Sequence, residues 1–214
     1  MRTLVSLYPR DPFARYHLGC ALKSRGEFTN AIVQLEQAVR WLPNGVDQPL
    51  VDQEPKHSLA ESVYVNLGLA YQEVGNATNA EHQYREALRL VPDNPEVHYN
   101  YGRLLLRTGR IAEAEPHLSE AIKLMPDLAD AYNCLGIIRK RQNRRDDAMA
   151  CFQSAVRYDT NHWQAHLNLA QAYLTLGDPK KAIPELRETL RIQPSLEPAQ
   201  QALAKALAQA KSAP

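Results

Sequence analysis

The 214-residue chain balances 25 Lys and Arg against 24 Asp and Glu, and this formal charge of +1 argues against a dedicated nucleic-acid binder. Apolar residues make up 44%, yet no run of them approaches the roughly 18 residues of a membrane span. Three cysteines are an odd count that argues against a disulfide framework, and few glycines (9) beside abundant Ala, Leu, Arg and Gln predict an all-α protein.

Small residues recur at a fixed interval. Gly19, Gly68, Gly102, Gly136 and Ala170 are separated by 49, 34, 34 and 34 residues, and Ala31, Ala80, Ala114, Ala148 and Ala182 keep the same spacing. Pro9, Pro43, Pro92, Pro126, Thr160 and Pro194 form a third series in that register. The period is 34 residues, and the interval of 49 is one period plus 15 inserted residues. Such a period marks stacked supersecondary units, none of which buries its apolar face alone.

In chain order, residues 1–11 extend the register backwards, with Leu4, Val5 and Leu7 ending a helix and Pro9 closing it. The chain is expected to open partway through a unit, as a piece of a longer array or with a rudimentary cap. Unit one spans 12–45 and is followed by an insertion at 46–60, and the stretch 45–56 across their junction reads as a loop. That loop is either a tolerated excursion or a flap over a binding surface, and the next helix starts as early as Pro55. Units two to five span 61–94, 95–128, 129–162 and 163–196. In each, apolar and small residues at positions 4, 7, 8 and 11 form the stripe of a first helix, A; in unit two they are Tyr64, Leu67, Gly68 and Tyr71. Gly26, Gly75, Gly109, Asn143 and Gly177, at position 15, stop it in the manner of a left-handed C-terminal cap. A second stripe through positions 20, 24 and 27 marks helix B, and proline near position 32 closes the unit. Asp93-Asn94-Pro95 and Asp178-Pro179 read as helix starts, while Pro116 and Pro184 predict slight bends in B helices. Residues 197–214 are a capping helix to about Lys211 and a tail, with Leu203, Ala204 and Leu207 inward.

No phosphate-cradling glycine loop, G-x-S-x-G or convergent carboxylate pair is present, so the expectation is a non-enzyme without cofactor. His162-x-x-x-His166 and His17-x-x-Cys20 lack the third and fourth ligands that zinc needs, so no metal is expected. Cys134 and Cys151 read as small buried residues. The run Arg139-Lys140-Arg141-Gln142-Asn143-Arg144-Arg145 is a solvated turn, or a nuclear-localisation or nucleic-acid contact that no matching stripe in the other units supports. No signal peptide or membrane segment appears in the sequence, which favours a cytoplasmic location.

The 34-residue pattern resembles the tetratricopeptide repeat (TPR). Its signature is matched by Tyr64, Leu67, Gly68, Tyr71, Ala80, Tyr84, Ala87 and Pro92 in unit two, and by His98, Tyr101, Gly102, Leu105, Ala114, Leu118, Ala121 and Pro126 in unit three. Arg15 at position 4 and Arg139 at position 11 depart from it. The resemblance implies a right-handed α-solenoid whose A helices line a concave groove through positions 2, 5, 6, 9, 12 and 13. Position 6 then carries His17, Asn66, Asn100, Cys134 and Asn168, similar to the asparagine ladder of the repeats of protein O-linked N-acetylglucosamine transferase, broken at Cys134. Those asparagines either hold a peptide backbone or bond neighbouring helices. The expected groove residues are Tyr16, Asn66, Leu69, Tyr99, Asn100, Arg103, Arg107, Asn133, Lys140, Arg141, Asn168 and Gln171. Four cations among them face only Glu96 and Asp130, implying a protein or peptide partner, extended or helical, with acidic side chains. The co-chaperone carboxylate clamp is absent, since of Tyr16, Cys20, Asn66, Glu96 and Asn100 only Asn66 fits it. The function implied is an adaptor or scaffold; the alternative is the substrate-recruiting arm of a larger enzyme such as a glycosyltransferase.

Overall fold

A computed structural model describes residues 7–42 and 59–212. The described residues form helices α1 (Pro12–Ser24), α2 (Phe28–Trp41), α3 (Leu59–Glu73), α4 (Ala77–Leu90), α5 (Pro95–Arg107), α6 (Ile111–Leu124), α7 (Ala129–Arg141), α8 (Arg145–Tyr158), α9 (Trp163–Thr175), α10 (Pro179–Ile192) and α11 (Glu197–Ser212), and no strand. They belong to two compact units, Met1–Gly109 with α1–α5 and Arg110–Pro214 with α6–α11. The loop expected at 45–56, the early helix start at Pro55, and Leu4 and Val5 fall outside the described residues; α3 is described from Leu59.

Within each compact unit, A and B helices pair as hairpins (α1 with α2, α3 with α4, α7 with α8, α9 with α10), and B helices pack on the next A helix. The hairpin turns follow from position 15. Gly26, Gly75, Gly109 and Gly177 have φ of 75–82°, and Asn143 stands at 60°. That left-handed residue lets the N–H at position 16 reach the carbonyl at position 11, as in Asn76 to Tyr71, Arg144 to Arg139 and Asp178 to Tyr173, each at 2.9 Å. Helix starts are capped by side chains where the sequence supplies them. Asn94 Oδ1 accepts from the Glu96 and Val97 amides, and Asp178 Oδ1 from the Lys181 amide. Helices α6 and α10 run on through Pro116 and Pro184, both exposed.

Position 8 sets how closely the two helices of a hairpin approach. A Cβ built on Gly68 would lie 2.7 Å from Tyr84 Cε1, and one on Gly19 2.6 Å from Leu35 Cγ. The residues facing that gap at position 24, Leu35, Tyr84, Leu118, Phe152 and Leu186, are all 0% exposed. Position 3 of the A helices is equally dry: Ala14, Val63, Val97, Ala131, Ala165 and, in α11, Ala199 are 0% exposed. Ala199 clusters with Ala170, Ala182 and Leu186 of the preceding hairpin, so position 3 is the contact surface with the unit before. In α11 the inward face is carried by Ala199 and Ala206, with Leu203 partly buried and Leu207 exposed.

The sequence departures are polar devices. Arg15 donates from Nε and Nη2 to the Pro9 carbonyl at 3.0 and 2.8 Å and from Nη1 to Gln34 Oε1 at 2.7 Å. His98 Nε2 lies 2.8 Å from the Pro92 carbonyl, His166 Nε2 3.1 Å from that of Thr160, and Gln200 Nε2 2.8 Å from that of Pro194. A donor at position 4 thus satisfies the carbonyl six residues earlier, at the close of the preceding unit. Arg139 at position 11 pairs with Glu115 of α6, which also accepts from Gln142 Nε2 at 2.9 Å. Burial disfavours the Glu115 charge, but the bonds from Gln142 and Arg139 outweigh it and hold the carboxyl below its ordinary range.

Candidate functional site: the A-helix faces

In the unit Met1–Gly109, α1, α3 and α5 place the expected residues as two linked groups. Asn66 donates from Nδ2 to the Ser62 carbonyl of its own helix at 2.9 Å and stands 3.5 Å from the Tyr16 hydroxyl of α1. Its Oδ1 accepts from Lys23 Nζ at 2.7 Å. On α5, Asn100 repeats the local bond, Nδ2 to the Glu96 carbonyl at 2.9 Å, and its Oδ1 accepts from Arg103 Nη2 at 3.3 Å. The Arg103 guanidinium lies over the Tyr99 ring, 5.4 Å from its centroid, and its Nε is buried without an acceptor among the described residues. Leu69 is half-buried and Arg107 exposed.

In the unit Arg110–Pro214, α7 and α9 carry the second set. Asn168 Nδ2 donates to Asn133 Oδ1 at 2.9 Å, and Asn133 is buried. Lys140 Nζ donates to Gln171 Oε1 at 3.2 Å, and Arg141 is exposed. Cys134, at the break in the ladder, is buried. Positions 5 and 6 of successive A helices meet in the same way in both sets: Tyr16 with Asn66, and Asn133 with Asn168.

Lys23 belongs to this constellation although the expected residues omit it. Its position, 12, is groove-facing by the resemblance, and only its bond to Asn66 reveals its part. Lys23, Arg103, Arg107, Lys140 and Arg141 have no carboxylate partner among the described residues. Cations at turns and on B helices often do: Arg85 with Glu81, Arg89 with Glu86, Lys123 with Glu120, Arg144 with Asp147 and Arg191 with Glu188. The asparagine carbonyl oxygens therefore occupy cations that a carboxylate would bind more strongly, a charged acceptor making a hydrogen bond roughly twice as strong as a neutral one.

Other chemistry-bearing residues are held structurally. His162 caps α9 by accepting the Ala165 amide at Nδ1, 3.3 Å away, which leaves the proton on Nε2, 3.4 Å from Asp130. His166 Nδ1 is 2.6 Å from Glu185 Oε2. No group of three or more metal-ligating residues occurs among the described residues. Burial pushes the Cys20 and Cys151 thiols up, the reverse of an activated thiolate. Among the described residues no helix is long and apolar enough to cross a membrane. A cleft of about 400 Å³ between α2, α3 and α4 is lined by Glu36, Tyr64, Tyr71, His82 and Glu86, and none of the expected groove residues reaches it.

The chain is 28% identical over 90 residues to the protein O-mannosyl-transferase tmtc2 of Xenopus laevis, a match covering 42% of this chain and 9% of that protein. The chain therefore spans under a tenth of that relative's length. Among solved structures, the TPR protein YrrB, described as having an unusual peptide-binding site, superposes with a TM-score of 0.65 at 20% identity, covering 94% of this chain and 96% of that one. The APC/C hetero-tetramer Cut9–Hcn1 gives a TM-score of 0.77 at 21% identity, over 95% of this chain and 37% of its counterpart. These likenesses show the all-α TPR solenoid fold. With residues 11–214 matching the Cilia and flagella-associated protein 70 C-terminal domain, the chain belongs to that family of tetratricopeptide-repeat domains.

Proposed function

We propose that the chain is a protein-binding module, an adaptor or scaffold, whose A-helix faces receive an extended or helical segment bearing acidic side chains. The observation that carries this is the contrast in charge pairing. Cations of α1, α5 and α7 on the faces named above rest on asparagine, glutamine or no partner, while many cations of the turns and B helices are neutralised by carboxylates. An incoming carboxylate exchanges a neutral acceptor for a charged one on Lys23, Arg103 and Lys140, and Tyr99 holds the Arg103 guanidinium in place for it. Asn66, Asn100 and Gln171 hold those cations in the unliganded state, and their side-chain oxygens are freed to accept from a peptide backbone as the carboxylate takes over. YrrB, a TPR protein of like fold, is described as having a peptide-binding site.

Selection from a displayed random-peptide library tests the reading. Enriched segments are expected to carry Asp and Glu in excess, and Arg103→Ala with Arg107→Ala is expected to weaken their binding and flatten its salt dependence. Neutral or basic enriched segments, or an unchanged affinity in the double variant, refute it. The second reading, a substrate-recruiting arm of a glycosyltransferase, is favoured by the match to an O-mannosyl-transferase, and a catalytic domain in the same parent reading frame would decide for it.

A further inference from the structure

A recess of about 230 Å³ lies within the unit Arg110–Pro214, where the α7–α8 turn meets the end of α9, and is lined by Lys140, Arg145, Ala148, Phe152, Ala172 and Leu176. Its floor is apolar, with Phe152 at 0% and Ala148 at 3% exposure, and Leu176, 50% exposed, forms an apolar lip. The origin of the opening can be traced to position 17. Four units place Phe28, Ala77, Ile111 and Pro179 there, all half-buried, whereas this one places Arg145, which is exposed. The apolar cover found in the other hairpins is missing, and a cation stands in its stead.

At about 230 Å³ the recess is smaller than the roughly 300–1,000 Å³ of small-molecule and cofactor sites, and suits a single side chain. Its rim is cationic. Lys140 and Arg145 have no carboxylate partner among the described residues, while neighbouring Arg144 is paired with Asp147 and Arg139 with Glu115. We propose that this recess receives one bulky apolar side chain, of leucine to tryptophan size, from the acidic segment, whose adjacent carboxylates lie on Lys140 and Arg145. The inference rests on the reading that the chain binds an acidic segment and adds to it the specificity-determining pocket. The required ligand pattern is then a large apolar residue flanked by Asp or Glu, since Ala172 and Leu176 supply apolar contact and the two cations penalise a basic neighbour.

Three fluorescein-labelled decapeptides serve as probes: Gly/Ser/Glu with one central Trp, the same without Trp, and Gly/Ser with Trp but no Glu. Binding is read by fluorescence anisotropy and by the methyl NMR signals of Ala148, Ala172 and Leu176. The acidic Trp peptide is expected to bind about tenfold or more tightly than its Trp-less counterpart, as burial of one large side chain implies, and to shift those methyls. Ala172→Leu, which fills the recess, and Arg145→Ile, which restores the apolar residue of position 17, are expected to erase the Trp gain; Ala172→Leu leaves the Trp-less affinity unchanged. Equal binding with and without Trp overturns the pocket and leaves the acidic-segment reading standing. Binding of the Glu-free Trp peptide as tight as that of the acidic one overturns the flanking-carboxylate rule, and failure of every peptide to bind overturns both readings.

Discussion

Replacing Gly68 by alanine places a methyl group 2.7, 3.0 and 3.2 Å from Cε1, Cδ1 and Cζ of Tyr84, closer than carbon atoms approach without displacement. Tyr84 cannot retract as an alkyl tip would. Its ring is fully buried, its hydroxyl stands 3.3 Å from Gln72 Oε1, and burial keeps the phenol neutral by raising its pKa. Overpacking of this kind costs about 1–3 kcal/mol. The change from glycine to alanine inside a helix returns about 1 kcal/mol through backbone entropy. The balance is a loss of about 1 kcal/mol, or roughly 2–4 °C in Tm for a chain of this size. Thermal unfolding followed by circular dichroism reads it directly. Ala170→Gly is the matched control: unit five already accommodates a Cβ at position 8, so glycine there only loses helix propensity and is expected to lower Tm as well. Propensity alone predicts opposite signs for the two substitutions. A Tm for Gly68→Ala above that of the wild type would refute the claim that hairpin approach is set by the missing Cβ.

Asn143 occupies the left-handed position that four other units give to glycine, and left-handed backbone costs a non-glycine residue about 1–2 kcal/mol, less for asparagine. Asn143→Gly is therefore expected to raise Tm by a few degrees and Asn143→Val to lower it, in the same unfolding assay; a fall with glycine contradicts the assignment. His166 lies between two acceptors, Glu185 Oε2 and the Thr160 carbonyl. The Glu185 bond raises its pKa above the ordinary value against the opposing effect of burial, with Thr160 and Glu188 adding to the rise. A raised folded pKa stabilises fully below the unfolded value of about 6.5 and loses that contribution as pH climbs through the folded value. The Tm deficit of Glu185→Gln is accordingly expected to be larger at about pH 5.5 than at about pH 8.5, and an equal deficit at both refutes the coupling.

Much of the fold was legible because its signals are local. Gly75 or Asn143 at position 15 announces a left-handed turn by its own sterics, and Leu67 with Tyr71 announces a helix face by spacing alone. Position 3 lies four residues before position 7 and extends the same stripe, as Val63 with Leu67 and Val97 with Tyr101, but its complete burial comes from the preceding unit, which no spacing within one helix specifies. Arg15 departs from the apolar character of position 4 and His98 fills the same position in unit three, and the donors of both reach a carbonyl whose place is set by the entry of the chain into the next helix. In the candidate site, residue types and helix faces could be listed from periodicity. That Asn66 holds Lys23, or that Asn168 bonds Asn133, could not, since these pairs lie 43 and 35 residues apart.

The amino-acid order alone determines the 34-residue period, the alternation of A and B helices and their stops, since each depends on φ preferences or on side chains three and four residues apart. Tertiary packing alone decides which cations are neutralised, which amides are spent on their own helix, and where Arg145 borders a recess in place of an apolar residue. Hydrogen bonds and cavities depend on ångström-scale distances between side chains of different helices, and those distances exist only once the hairpins are packed together.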